Sequence, residues 1–221
     1  MLNPLAVVPY NFIRTKYSKN ALLKRLIYLD YTDMRGLIRA AEGTRSNWMQ
    51  VLRKSPYSYR YLVNSHLDIL GYWHFVSLKG PYLKKAKKGL LLDSEIKASS
   101  IYSLNKKGLY TIYIVETVLL PKYRDTDAII MLDNSFFDAI YDFALEGVYF
   151  SEVLANAFTP DGKRRDIERG MHFMAKHVLH GDMYHMDFTE FLLKNAPDRK
   201  DVLKLYSKHL KLKTKITPAS K

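Results

Sequence analysis

The chain has 221 residues, 48% of them hydrophobic, and a formal net charge of +13. That is enough for one large domain with a real apolar core. The absence of cysteine excludes disulfides, thiolate metal sites and a cysteine nucleophile.

Residues 1–110 hold 19 Lys+Arg against 6 Asp+Glu, whereas residues 111–221 hold 16 of each, so the whole excess lies in the first half. A locally basic surface attracts anionic partners, and it also serves solubility alone. The opening "MLNPLAVVPYNFIRTKYSK" is a short apolar stretch broken by prolines and does not read as a signal peptide. No uninterrupted apolar run approaches the ~20 residues of a membrane helix, so the expectation is a soluble, cytoplasmic protein.

Residues 18–42 and 45–54 read as helical, with Ser18 as the first cap and Leu22, Leu23, Leu26 and Ile27 at helical spacing. Thr32 offers a further cap, Met34, Leu37, Ile38 and Ala41 an apolar face, and Gly43 a stop. "YRYLVNS" and "DILGYWHFVSL" then read as two paired strands turning at Asn64 to Asp68. Four lysines at 84–88 suggest an exposed basic loop. "GLYTIYIVETVLL" is apolar on both faces, as a central strand covered on both sides should be. A helix from about Asp127 to Glu146 places Ile129, Leu132, Phe136, Ile140 and Phe143 on one face. "GVYFSEVLANA" is the next strand, and Thr159 and Pro160 open a short helix. "MHFMAKH" and "MYHMDF" close the domain as two strands, and a basic segment follows, with eight Lys+Arg and one acidic residue between 199 and 221. The order of elements is mixed α/β.

The junction "LLPKYRDTDAIIML" runs from a strand through a basic turn into a helix, a place that often grips phosphate through helix-terminal N–H groups. No glycine lies within it. Asp125 and Asp127 bring negative charge to the turn, and Asp127 stands where it would cap the helix and occupy those donors.

Across roughly residues 10–190 the chain resembles the GNAT acyl-CoA N-acyltransferase superfamily. The order of elements matches, Pro121-Lys122-Tyr123-Arg124 resembles the family's approach to its pyrophosphate loop, and Asn156 and Gly170 match two further positions. The departures are Asp127 for the loop's first glycine, Ile129 for its second small residue, and Met171 for a usual aromatic. The resemblance implies a single-domain α/β fold, a mixed, strongly twisted sheet flanked by helices over 1–190, with a basic C-terminal extension at 191–221. It implies transfer of an acyl group, such as acetyl, from acyl-CoA to an amine. Leu119 and Leu120 would offer backbone groups to the pantetheine arm, Arg124, Asp125, Thr126, Asp127, Ala128 and Ile129 would meet the pyrophosphate, and Asn156 would contact the cofactor.

Glu116 sits inside an apolar run, where loss of water raises a carboxyl's pKa and suits it to act as a base; the alternative is a carboxylate paired with a nearby Lys or Arg, or one facing solvent at a bulge. Glu152 is a weaker case of the same kind. The helix after Asn156 has no tyrosine to act as an acid, which leaves Tyr184 of the closing strands as the candidate. His172, His177, His180 and His185 match no metal-ligand spacing and read as surface and packing residues, so no metal is expected. The basic first half suggests an acceptor that is anionic or sits on an anionic macromolecule. The competing reading is a catalytically silent module of the same fold that binds an acidic protein, or nucleic acid through Lys84, Lys85, Lys87 and Lys88. Serine-hydrolase, Walker and dinucleotide motifs are absent.

Overall fold

The structure is a computed structural model that describes residues 4–33, 43–124 and 126–216. The expected apolar face at Met34, Leu37, Ile38 and Ala41 lies outside the described residues, as does Asp125. In chain order the elements are β1 (Ala6–Pro9), α1 (Tyr10–Ile13), α2 (Lys19–Asp33), α3 (Arg45–Lys54), β2 (Tyr59–Val63), β3 (Ile69–Val76), α4 (Gly80–Lys87), β4 (Gly108–Leu119), α5 (Ala128–Leu145), β5 (Val148–Ala157), α6 (Pro160–Glu168), β6 (His172–Lys176), β7 (Asp182–Asp187), α7 (Phe188–Asn195) and α8 (Lys200–Ile216).

The strands form one seven-stranded mixed sheet in the order β1-β2-β3-β4-β5-β7-β6. Only the β4–β5 pair is parallel, and α5 makes the crossover between them. Period-two alternation sends Tyr59, Tyr61 and Val63 of β2 into a core shared with α2 and α3, while Leu62 enters the opposite core with α5, α7 and α8. Helices thus cover both faces, which is why β4 reads as apolar throughout.

Local signals account for most helix starts. Ser18 Oγ accepts from Ala21 N at 3.1 Å, Thr44 Oγ1 from Asn47 N at 3.2 Å, and Thr159 Oγ1 from Gly162 N at 3.0 Å. Thr32 is not a cap: it lies in the last turn of α2, and its hydroxyl donates back to Tyr28 O at 2.8 Å. The lysine run is not a loop but helix α4, begun by Pro81 in its first turn and packed through the buried Ala86. Strand β1, to which the sequence pattern assigns no element, forms at the sheet edge with Pro9 at its end. The core also extends past residue 190. Phe191 and Leu192 of α7 and Val202 and Tyr206 of α8 are buried against the α5 face, and Tyr206 Oη accepts from Phe150 N at 3.1 Å. Among the described residues no helix is long and apolar enough to cross a membrane.

Candidate active site

Strands β4 and β5 run paired from Gly108↔Val148 to Ile114↔Ala155, and there the pairing stops. Beyond that point β4 stays with β3 to Leu119, while β5 continues with β7 to Ala157. The sheet therefore splits into a V whose arms are Val115–Leu119 and Asn156–Ala157. A bulge marks the fork: His74 pairs with Glu116 and Phe75 with Ile114, so Val115 has no residue of its own opposite on β3.

A cavity lies on each side of this fork. Ile114 and Thr117 line one of about 270 Å³, walled by Trp73, Phe136 and Phe137 and bounded by Asp133 of α5 and Arg169. Both Asp133 oxygens accept from Arg165 Nη2 at 2.7 Å, and Oδ1 also accepts from Arg169 Nη2 at 2.8 Å, so this ion pair ties α5 to α6. Val115 and Glu116 line the other cavity, of about 340 Å³, under α2 and α3.

The second cavity has a polar floor. Leu23, Leu26, Ile27 and Asp30 share one face of α2, and all four line it. Tyr72 Oη donates to Asp30 Oδ1 and stands 2.6 Å from Glu116 Oε1, and Asp30 and Glu116 are themselves hydrogen bonded. One phenol proton cannot serve both carboxyls, so the cluster holds a proton of its own and the two acids titrate as a pair. Burial first, and the neighbouring Asp30 carboxyl second, push Glu116 well above the usual carboxylate range; the Tyr72 hydrogen bond opposes them. Burial, reinforced by Asp30 and Glu116, raises Tyr72 likewise.

Behind the floor, His74 stacks on Tyr59 at 3.8 Å and 8° and meets the edge of Trp48 at 6.0 Å. Neither of its ring nitrogens has a hydrogen-bond partner, and burial pushes its pKa down to about 3. It is a neutral packing group, not a ligand or a base.

The expected site residues divide accordingly. Glu116 and Asn156 line the same cavity. Among the described residues Glu116 is held by a phenol and a carboxyl, not by a Lys or Arg. Glu152 is the carboxylate with a cationic partner, Lys87 Nζ at 2.6 Å, and His185 Nδ1 lies 3.1 Å away. Asn156 Nδ2 donates to His180 O at 3.4 Å, while its Oδ1 is shut from solvent without a donor. Gly181, at φ +96°, makes this approach possible, because a Cβ there would stand 2.5 Å from Asn156 Oδ1 and 2.8 Å from Ala157 O. Tyr184 is buried in the α5-side core and lines neither cavity.

At the turn, Leu120 N donates to Leu70 O at 2.9 Å, and Leu119 O accepts from Arg124 Nε at 3.3 Å, so these two backbone groups are engaged within the chain. Residues Pro121–Tyr123 form a short 3₁₀ turn that leads to α5. Asp127 stands at the N-cap of α5, but its carboxylate makes no capping bond; Thr126 Oγ1 instead accepts from Ala128 N at 3.3 Å and donates to Tyr123 O at 2.8 Å. The expectation that Asp127 occupies the helix-terminal donors is therefore corrected: its backbone is already helical, φ −62° and ψ −6°, which is not the extended geometry of a capping side chain. Of the lysine run, Lys85 pairs with Glu95 at 2.5 Å and Lys87 with Glu152, so half of it is committed within the chain. Asp30, Tyr72, Asp93 and Trp48 were not singled out from sequence. The signal for Asp30 was its i+3/i+4 continuation of the Leu23–Ile27 face.

No family model and no curated protein matches the sequence. Solved structures do match in fold. The loading GNATL domain of CurA from Lyngbya majuscula has a TM-score of 0.53 at 13% identity, with 84% of this chain and 98% of that chain covered. A bacterial toxin has a TM-score of 0.51 at 13% identity over 90% of this chain and 97% of that one. The NatC complex bound to Gag peptide and CoA has a TM-score of 0.51 at 11% identity over 84% and 96%. The chain has the GNAT fold.

Proposed function

We propose that this GNAT-fold chain transfers an acyl group from acyl-CoA to an amine, with the β4–β5 fork as the place where donor and acceptor meet. The observation that carries the reading is the fork itself: one strand end, Ile114–Thr117, borders a cavity on each face of the sheet. The donor suits the α5 side. There the unpaired edge of β4 faces no strand, and Arg124 with the first turn of α5 offers cationic and N–H groups to a diphosphate. Arg124, Thr126, Ala128 and Ile129 are the residues that would hold it, while Asn156 opens to the α2-side cavity. Asp127 and Asp125 would oppose it by charge.

Acyl-CoA, when bound, supplies a thioester carbonyl whose carbon bonds to the acceptor nitrogen as its bond to sulfur breaks. The Glu116–Asp30 pair takes the proton that the nitrogen gives up, since its raised affinity for protons places it nearer neutral pH than an exposed carboxylate. Tyr72 fixes the orientation of both carboxyls. The bulged Val115 leaves the β3–β4 ladder one residue out of step at the point where a carbonyl oxygen would need an N–H. The sulfur leaves as a thiolate that solvent protonates, and the carboxyl pair returns its proton to solvent.

Calorimetry with acetyl-CoA and longer acyl-CoAs tests the reading. Measurable heat, with a raised melting temperature, is expected. No heat and no thermal shift at millimolar ligand would remove acyl transfer as the function.

A further inference from the structure

The first half of the chain carries the entire positive excess, yet the cavity under α2 and α3 is lined by Asp30, Asp93 and Glu116, against Arg45 as the one Lys or Arg among the described residues of its lining. The other titratable side chains facing it among the described residues are tyrosines and His177, whose Nε2 is bonded to Leu91 O at 2.8 Å. Surface and cavity therefore have opposite character. The carboxylates do not stand alone. Trp48, Tyr59, Tyr72 and Tyr113 wall the same space, and aromatic faces attract cations most strongly where water is excluded. Burial and Asp93 raise Tyr113, and burial, Asp30 and Asp93 raise Glu116, so the negative field reaches the whole enclosure.

We propose that this cavity binds a small primary amine that carries positive charge, and that a second cationic centre on the same molecule tightens its hold. The identification of the cavity as the acceptor side rests on the acyl-transfer reading; the charge preference rests on the lining alone. A volume of about 340 Å³ lies at the small end of ligand pockets, which suits a compact molecule better than a macromolecular surface. The anionic acceptor suggested by the overall charge would meet Asp93 and the shared negative charge of the Asp30–Glu116 pair here. An ammonium would instead meet the net negative charge of the Asp30–Glu116 pair and Asp93; it gives one proton to solvent before attack, and the pair takes the second as the amide forms.

Three four-carbon amines separate charge from size: 1,4-diaminobutane, 1-aminobutane and 4-aminobutanoate. Their binding to the intact chain is measured by calorimetry without acyl-CoA, and their acetylation is then followed by mass spectrometry with acetyl-CoA. The diamine is expected to bind about tenfold or more tightly than 1-aminobutane, with 4-aminobutanoate weakest, a spread in keeping with one desolvated cation contact. Asp93→Asn should shrink the ratio between diamine and monoamine. Equal or tighter binding of 4-aminobutanoate, or no binding by any of the three, would overturn the proposal. The two readings fail separately: the predicted order without any acetylation keeps the cavity assignment and removes acyl transfer, whereas acetylation that favours 4-aminobutanoate keeps transfer and removes the cationic preference. The amine series runs on the unaltered chain, so a failure of Asp93→Asn to fold leaves the test intact.

Discussion

The floor of the α2-side cavity and the turn before α5 lie at the two ends of the same five-residue strand segment, and they are built differently. At the floor, Tyr72, Asp30 and Glu116 are locked to one another and backed by a stacked His74–Tyr59 pair. At the turn, the N-cap carboxylate makes no bond to the helix, a single threonine hydroxyl serves the first N–H, and no glycine opens the backbone. Buried polar groups that satisfy one another are fixed in place; a turn with one weak cap is free to accommodate other ligands or none. On the proposed reading, the contrast puts the chain's chemical commitment at the acceptor side and its departure from the GNAT loop pattern at the donor side.

Glu116→Gln is the sharpest way to break the comparison. Loss of a positioned general base lowers a rate by ~10²–10⁴-fold, and acetyl-CoA affinity should hardly change, because Glu116 lies on the other side of the fork. A rate unaffected at pH 7 in a steady-state acetylation assay would remove Glu116 as the base. Asp30→Asn refines the same point: Asp30 raises Glu116, so its removal should move the acid limb of the pH–rate profile to lower pH.

The packing behind the floor has its own pH signature. His74 has a folded pKa of about 3 against an ordinary 6.5, so the unfolded chain takes up a proton that the folded chain refuses. Its contribution to stability is whole above pH 6.5 and drains as the pH falls towards 3, by ~1.4 kcal/mol per unit and roughly 4–5 kcal/mol in all. Urea denaturation at several pH values should show His74→Phe losing less stability on acidification than the natural chain. Parallel losses would mean that His74 is solvated.

Gly181→Ala tests the arm that carries Asn156. A Cβ at a positive φ, set against Asn156 Oδ1 and Ala157 O, should cost roughly 1–3 kcal/mol. An unchanged melting temperature would show that the β6–β7 turn yields and does not pin Asn156.

The smallest effect belongs to the turn. Asp127→Gly removes a negative charge from the start of α5, where a charge is worth ~0.3–1 kcal/mol. Acetyl-CoA should bind up to about fivefold more tightly. Weaker binding would make Asp127 a positioning group and the turn a working loop of its own design.

The sheet and its helices were legible because strong periodicities and caps agree. The run through β4, the α5 face and the Thr159–Pro160 start all appear as read. Helix α7 and the packing of α8 onto the core were not legible, because the basic surface of 191–216 hides a sparse buried stripe of Phe191, Leu192, Val202 and Tyr206. At the site, Glu116 and Asn156 were visible as polar residues in apolar strands. Asp30 and Tyr72 were not, since α2 and β3 looked like plain core elements and only the fold brings them to Glu116. The Asp93 contribution comes from a loop with no periodic signal at all.

Hydrogen–deuterium exchange with and without saturating acetyl-CoA tests the central claim most directly, because it reads the fork residue by residue. Slower exchange is predicted in peptides covering Val115–Leu120 and Thr126–Ile130, with Asn156–Phe158 following. Unchanged exchange in all three segments, with binding shown independently, would place the cofactor elsewhere and contradict the account.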